Sequence, residues 1–347
     1  MVPALAAAFC VAALASPAQA FTLHSAITSA CHEGITTDAL RIVRSELTTA
    51  ASLGQSGDDG PLVDDLPFPI DDDMKDIGAA TLLIGIRDND LKGRSAESID
   101  QLVEVHGDPN NQREHCLRTP TEDEPGGSAA SIEDCRAFIR EKVRIAIDEG
   151  LGESGMPDAA RRSDTTVYLS FAGKTTAPLP TFYIELGRAM HALQDSFAHD
   201  WRTSDGLQVT VSLNWVEFAE NSFDESRDGP AHRAEMDDCA DKDGLRTQRH
   251  QLAVEASSAL LRAALDPSLD RAGKLAAVDA TLDQYLSYTP GCTYDNNWCD
   301  APERAYKTST GCGCSVIGER SGGAATALVV AALAALSLRR GGRSHVA

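Results

Sequence analysis

The stretch from Gly187 to Trp201 reads GRAMHALQDSFAHDW and constrains the fold more than any other part of the chain. Leu186, Met190, Leu193 and Phe197 recur at three- and four-residue spacing, the period of a helix with one apolar face. His191, Asp195 and His199 recur every four residues, drift by about 40° per step and stay within a stripe of about 80° beside that face. Side chains at i and i+4 lie ~5–6 Å apart at Cβ, close enough for two of them to meet on one divalent cation. Such a helix needs other segments to cover its apolar face and to supply partners for its imidazoles and carboxylate. Gly187, one turn before His191, leaves room there for another chain segment or a ligand.

The other strong periodic signals are also helical. SIEDCRAFIREKVRIAIDEG opens on Ser131 as an N-cap, carries apolar residues at 132, 135, 139, 143 and 146, and stops at Gly150. QLAVEASSALLRAALDP ends before Pro267, KLAAVDATLDQYLSY repeats Leu275, Val278, Leu282 and Leu286, and Asp38 can cap a helix through Leu40, Val43 and Leu47. Residues 54–73 and 118–128 hold the glycine, proline and acid of surface loops. LQVTVSLNW alone alternates apolar and polar residues, at 207, 209, 211, 213 and 215, and predicts a strand in a hairpin or extended lid. The fold class is therefore mainly α, with long loops and room for one short hairpin.

Both ends read as processing signals. Residues 1–20 are small and apolar, contain no acid and close on Ala18-Gln19-Ala20, the pattern of a signal peptide whose removal makes Phe21 the first residue. Residues 323–338 form an apolar run that would span roughly 24 Å, short of the ~30 Å of a bilayer core, and an arginine cluster follows. With Cys312 and Cys314 just ahead of it, this tail resembles the C-terminal sorting signal called Myxo-Cterm; an ordinary tail anchor is the alternative. The layout expected is a signal peptide at 1–20, a helical metal-binding hydrolase-like domain at 21–300, a linker with the cysteine motif at 301–322 and an anchor helix with basic tail at 323–347.

The chain has 31 basic and 52 acidic residues, and setting both ends aside leaves 27 against 51, a net charge of −24. A body this acidic repels a long nucleic acid. The remaining cysteines, 31, 116, 135, 239, 292 and 299, suit up to three disulfides of an exported chain; Cys292 with Cys299 is the pair favoured. None has the CxxC spacing of a structural zinc site.

Histidines stand near acids elsewhere: His24, His106 ahead of GDPNNQREHC, which ends on His115 and Cys116, and His232 in DGPAHRAEMDDC. Imidazole with carboxylate suits zinc or a similar ion. LGRAMHALQDSFAHDW resembles the central helix of the zinc-dependent phospholipase C and single-strand nuclease superfamily. That resemblance implies an exported multi-helix bundle with up to three zinc ions in one cleft, acting as a monomer. It implies that Phe21 chelates one ion through its own amine and carbonyl, with His24 or its rival His32 as partner. It further implies metal roles for His106, His191, Asp195, with Asp195 bridging two ions, and for His199 and His232 with Glu235, Asp237 or Asp238. Asp88 or Asp90 fills the family's position before His106, and one of them is expected as the catalytic proton acceptor. The family usually reads His-x3-Asp-x5-His, whereas three residues separate Asp195 from His199 here.

The function expected is hydrolysis of a phosphoester, a phospholipid or small phosphodiester, at the cell surface, in the outer membrane or after release. The competing expectation is a non-catalytic surface adhesion or scaffold protein. A third, calcium held by the eight aspartates of residues 58–76, lacks the order of an EF-hand loop, so a solvated acidic loop is the default. No GxSxG elbow, phosphate loop or dinucleotide fingerprint appears.

Overall fold

The structure, a computed structural model, describes residues 23–25, 30–50, 52–53, 59–122, 127–214, 224–230, 234–237, 239 and 244–305. Among the described residues the α-helices are α1 (Cys31–Glu46), α2 (Asp59–Asp64), α3 (Ile77–Leu91), α4 (Ile99–His106), α5 (Gly127–Gly150), α6 (Thr181–His199), α7 (Glu225–Asp228), α8 (Gly244–Leu265), α9 (Arg271–Tyr285) and the short α10 (Asn297–Asp300). The chain is mostly helical with small sheets. Helix α6 carries the histidine stripe and lies in the middle, against α3, α5 and α8. Leu186, Met190, Leu193 and Phe197 are all fully buried on it, each contributing about 1.5–3 kcal/mol of burial energy.

Helix α3 carries no predicted period because it has no solvent face: fourteen of its fifteen residues are buried. Its first ten residues, IGAATLLIGI, are apolar on every side except at Thr81, as suits a core helix, and the polar RDND follows at its C-terminal end. Asp76 caps it by accepting the N–H groups of Gly78 and Ala79 at 3.0 and 3.1 Å, and Lys92 ends it in the left-handed region. Where α3 crosses α6, Gly85 meets Gly187. A Cβ on Gly85 would stand 2.5 Å from the Ile184 carbonyl oxygen, and one on Gly187 2.5 Å from that of Leu82. The room noted at Gly187 is therefore filled by a neighbouring backbone.

Several boundaries move from their expected places. Asp38 lies inside α1 rather than capping it, because the helix begins at Cys31. Ser131 is likewise inside α5, its hydroxyl bonded to the Ser128 carbonyl. The loop expected over 54–73 contains α2 and a 3₁₀ turn at Asp72–Met74. The alternation near residue 209 does form a strand, β4 (Gln208–Ser212), which pairs antiparallel with β3 (Asp200–Arg202) and parallel with β5 (Ser287–Tyr288). Both faces of β4 are covered, since Thr210 and Ser212 are as buried as Val209 and Val211. An unforeseen hairpin, β1 (Arg162–Leu169) with β2 (Gly173–Pro180), pairs Leu169 with Gly173 beside its turn.

Three disulfides cross-link the fold: Cys31–Cys239, Cys116–Cys135 and the expected Cys292–Cys299. Residues 301–305 still belong to the packed unit, where buried Glu303 accepts from Arg249 at 2.8 Å. Among the described residues no helix is long and apolar enough to cross a membrane; the segment expected to be a signal peptide, the cysteine motif and the apolar run at 323–338 lie outside them.

Candidate metal centre

The polar stripe of α6 faces inward at its crossing with α3. Asp90, His115, His191 and Asp195 place one ligand atom each within 4.8 Å of all the others, and all four are buried. His191 Nε2 lies 2.9 Å from Asp195 Oδ2, 3.1 Å from His115 Nδ1 and 3.5 Å from Asp90 Oδ1. His115 Nδ1 lies 2.8 Å from Asp195 Oδ2 and 3.7 Å from Asp90 Oδ1. The two aspartates thus converge on the same two imidazoles.

Each residue is aimed by the element that carries it. The glycine crossing brings the Ile86 carbonyl to 2.7 Å from His191 Nδ1, so that this nitrogen donates and Nε2 is left facing the carboxylates. His106, at the end of α4, donates from Nδ1 to the Leu102 carbonyl at 2.8 Å and sets Nε2 at 2.8 Å from Asp90 Oδ1. His199 donates from Nδ1 to the His115 carbonyl at 2.9 Å, and this nitrogen stands 4.0 Å from Asp195 Oδ2. His32, on α1, sets Nε2 at 3.0 Å from the other Asp195 oxygen, Oδ1. Its Nδ1 donates at 2.7 Å to Gln194 Oε1, while the Gln194 amide donates to Thr36 and Ser257.

The protonation pattern follows from burial and these contacts. Burial opposes a charge on His191, but the Asp195 and Asp90 carboxylates outweigh it and raise its pKa to about 9. Burial likewise opposes charge on His106, and the hydrogen bond to Asp90 still raises it; on His115 burial prevails and the pKa falls. Burial alone would push the Asp195 carboxyl up, yet His191 and His199 hold it well below the usual range; Asp90 is lowered in the same way by His191 and His106. Two ionised carboxylates therefore need positive charge beside them in a water-poor site. If an imidazole facing them is neutral, its lone pair points at an anion, which is unfavourable unless a cation stands between. His115 Nε2 is also buried without a hydrogen-bond partner among the described residues. The donor set fits a metal ion by its chemistry and by its geometry, and the cluster can hold one.

The residues singled out from the sequence fall into distinct places. His191, Asp195 and Asp90 meet in the cluster. His115 supplies the imidazole expected of His106, which sits behind Asp90 with its ring stacked on His115 at 4.9 Å. His32, not His24, reaches Asp195; the His24 amide instead donates to Glu33 at 3.1 Å and its carbonyl accepts from Arg87 at 3.3 Å. Asp88 faces Arg188 at 2.7 Å and is not part of the cluster, while Asp90 stands among the ligand atoms rather than behind them. Phe21, His232, Asp238 and the side chain of Glu235 lie outside the described residues. The surface notch lined by Leu66, Phe68, Ile84, Asp88 and Val167 contains no residue of the cluster.

Compared with known proteins, the chain matches no family model, no curated protein and no solved structure.

Proposed function

We propose that the chain is an exported, zinc-dependent phosphoester hydrolase, a divergent relative of the phospholipase C and single-strand nuclease superfamily that acts on a phospholipid or small phosphodiester. The observation that carries the reading is the donor geometry. A tetrahedral zinc with bonds of about 2.0–2.1 Å has ligand atoms about 3.3 Å apart. The five donor separations given above run from 2.8 to 3.7 Å. Asp90, His115, His191 and Asp195 would hold one ion. Asp195 also presents Oδ1 to His32, which supports a second ion sharing its carboxylate.

A bound divalent ion of this kind activates water near neutral pH and stabilises charge on a phosphoryl group. The protein's own part is to hold the donors rigid: backbone carbonyls orient His191, His106 and His199, and Gln194 orients His32. With Asp90 among the ligands and Asp88 paired to Arg188, neither carboxylate stands ready as a separate proton acceptor. The net charge of −24 over residues 21–314 favours a small or interfacial substrate over a polyanion. Three disulfides accord with an oxidising compartment.

A second reading is favoured by the depth of the site. Asp90 is 4% exposed and His115, His191 and Asp195 not at all, as suits a structural ion in a non-catalytic surface protein. One experiment separates the two. The mature protein, dialysed against metal-free buffer, should retain at least one zinc per chain by elemental analysis and hydrolyse bis(4-nitrophenyl) phosphate, and His191→Ala should abolish hydrolysis with helical content intact. Less than one metal per chain defeats both readings; full metal with no hydrolysis of that ester or of phosphatidylcholine leaves the structural one.

A further inference from the structure

We propose that the Cys116–Cys135 disulfide is a positioning element of this centre, so that the grip on the ion depends on the oxidation state of a bond outside the ligand set. The inference rests on reading Asp90, His115, His191 and Asp195 as a metal centre. His115 closes the 3₁₀ turn Pro109–His115, and the next residue, Cys116, has φ 50°, a left-handed conformation disfavoured for any residue with a Cβ. Three attachments hold it there. Its N–H donates to the Gln112 carbonyl, its carbonyl accepts from Ser212 Oγ at 2.8 Å, and its sulfur is bonded to Cys135 in α5 with the Cα atoms 5.0 Å apart. Only the last is covalent.

The backbone at Cys116 governs two imidazoles at once. The His115 ring meets Asp195 through Nδ1 at 2.8 Å, and the His115 carbonyl accepts from His199 Nδ1 at 2.9 Å. A rotation of Cys116 out of the left-handed region would displace both. The other disulfides provide an internal comparison: Cys31 directly precedes His32, whereas Cys292–Cys299 closes a turn that adjoins no residue of the cluster. Reduction by a dithiol delivers two electrons and two protons, cleaves the Sγ–Sγ bond to two thiols and oxidises the reductant to its cyclic disulfide.

Replacing both cysteines, Cys116→Ala with Cys135→Ala, should weaken zinc affinity by about 10- to 100-fold, the range seen when a ligand's supporting contact is lost. Cys292→Ala with Cys299→Ala should leave it within about twofold of the unaltered protein, since a contact remote from the ligands does not orient them. Affinity is read by competition with a chromogenic chelator, and the visible spectrum of the cobalt(II)-loaded protein reports the donor geometry. A purely structural role would lower the melting temperature of the first variant with affinity and cobalt spectrum unchanged, and that result overturns the proposal. Should the variant not fold, zinc release from the loaded protein carrying Cys31→Ala and Cys239→Ala is timed before and after phosphine reduction and alkylation, with mass spectrometry confirming that Cys116 and Cys135 are alkylated: an unchanged rate refutes the proposal. Failure of the unaltered protein to bind zinc or cobalt would instead remove the metal-centre reading on which the proposal stands.

Discussion

Two regions of this molecule gather aspartates, and they manage the charge in opposite ways. In the stretch from Asp59 to Asp76, Asp59 is paired with Arg162, Asp71 and Asp73 with Arg41, Asp72 with Lys75, and Asp76 with Arg44, while Asp65 accepts the N–H groups of Phe171 and Ala172 at the tip of the β1–β2 hairpin. In the core, the close partners of Asp90 and Asp195 among the described residues are imidazoles. Guanidinium keeps its proton at every accessible pH, so its partner carboxylate is permanently satisfied. Imidazole can give its proton up, and a cation can then take its place. The number of acids therefore does not identify a metal site; the exchangeability of their counter-charges does. The acidic stretch is exposed over Asp71, Asp72 and Asp73, as expected of a solvated loop, but it also ties α1, α2, α3 and the hairpin together through Asp59, Asp65, Asp73 and Asp76.

The largest expected effect breaks the core side of this contrast. Asp195→Asn should cut the retained metal to zero, because the carboxylate is shared by His32, His115 and His191, while Asp73→Asn should leave metal content unchanged; elemental analysis of both proteins decides it. Next, exhaustive chelation should lower the melting temperature by roughly 4–6 °C, the shift for a ligand held at about 100 times its Kd in a domain of this size, and zinc should restore it. Millimolar calcium should produce no shift, and one of several degrees would show the acidic stretch to be a cation site after all. The smallest effects lie within that stretch. Arg44→Met removes a bond of 2.7 Å to the α3 cap Asp76 and should cost about 1.5–3 kcal/mol in urea unfolding. Arg41→Ala, on exposed partners, should leave the unfolding midpoint where it is.

What could be read from the sequence tracks how local the signal is. Helix α6 and the pairing of His191 with Asp195 follow from a four-residue spacing, which any helix enforces. His115 does not, since it reaches the cluster from a 3₁₀ turn held by a left-handed cysteine and a disulfide, none of which has a period. Only its place beside Cys116 hinted at a pinned position. Helix α3 was invisible for the opposite reason: with every side covered, its pattern has no polar phase to count. The β1–β2 hairpin was readable in principle, because Thr165, Val167 and Leu169 are buried in alternation, but the polar composition of RSDTTVYL obscured it. Helix starts at Asp38 and Ser131 were misplaced because tertiary contacts carry α1 and α5 past residues that would otherwise cap them.

The glycine contact between α3 and α6 bears on which ion the centre admits. Asp90 lies five residues beyond Gly85 and His191 four beyond Gly187, so their separation is set by two backbones already in van der Waals contact. Side-chain torsions adjust the donor atoms only from these fixed backbone positions. Calcium seeks six to eight oxygen donors and gains little from two imidazole nitrogens, whereas zinc takes four donors of this mixed kind. The placing of the donors would then reside in part in two residues that have no side chain and never touch the ion.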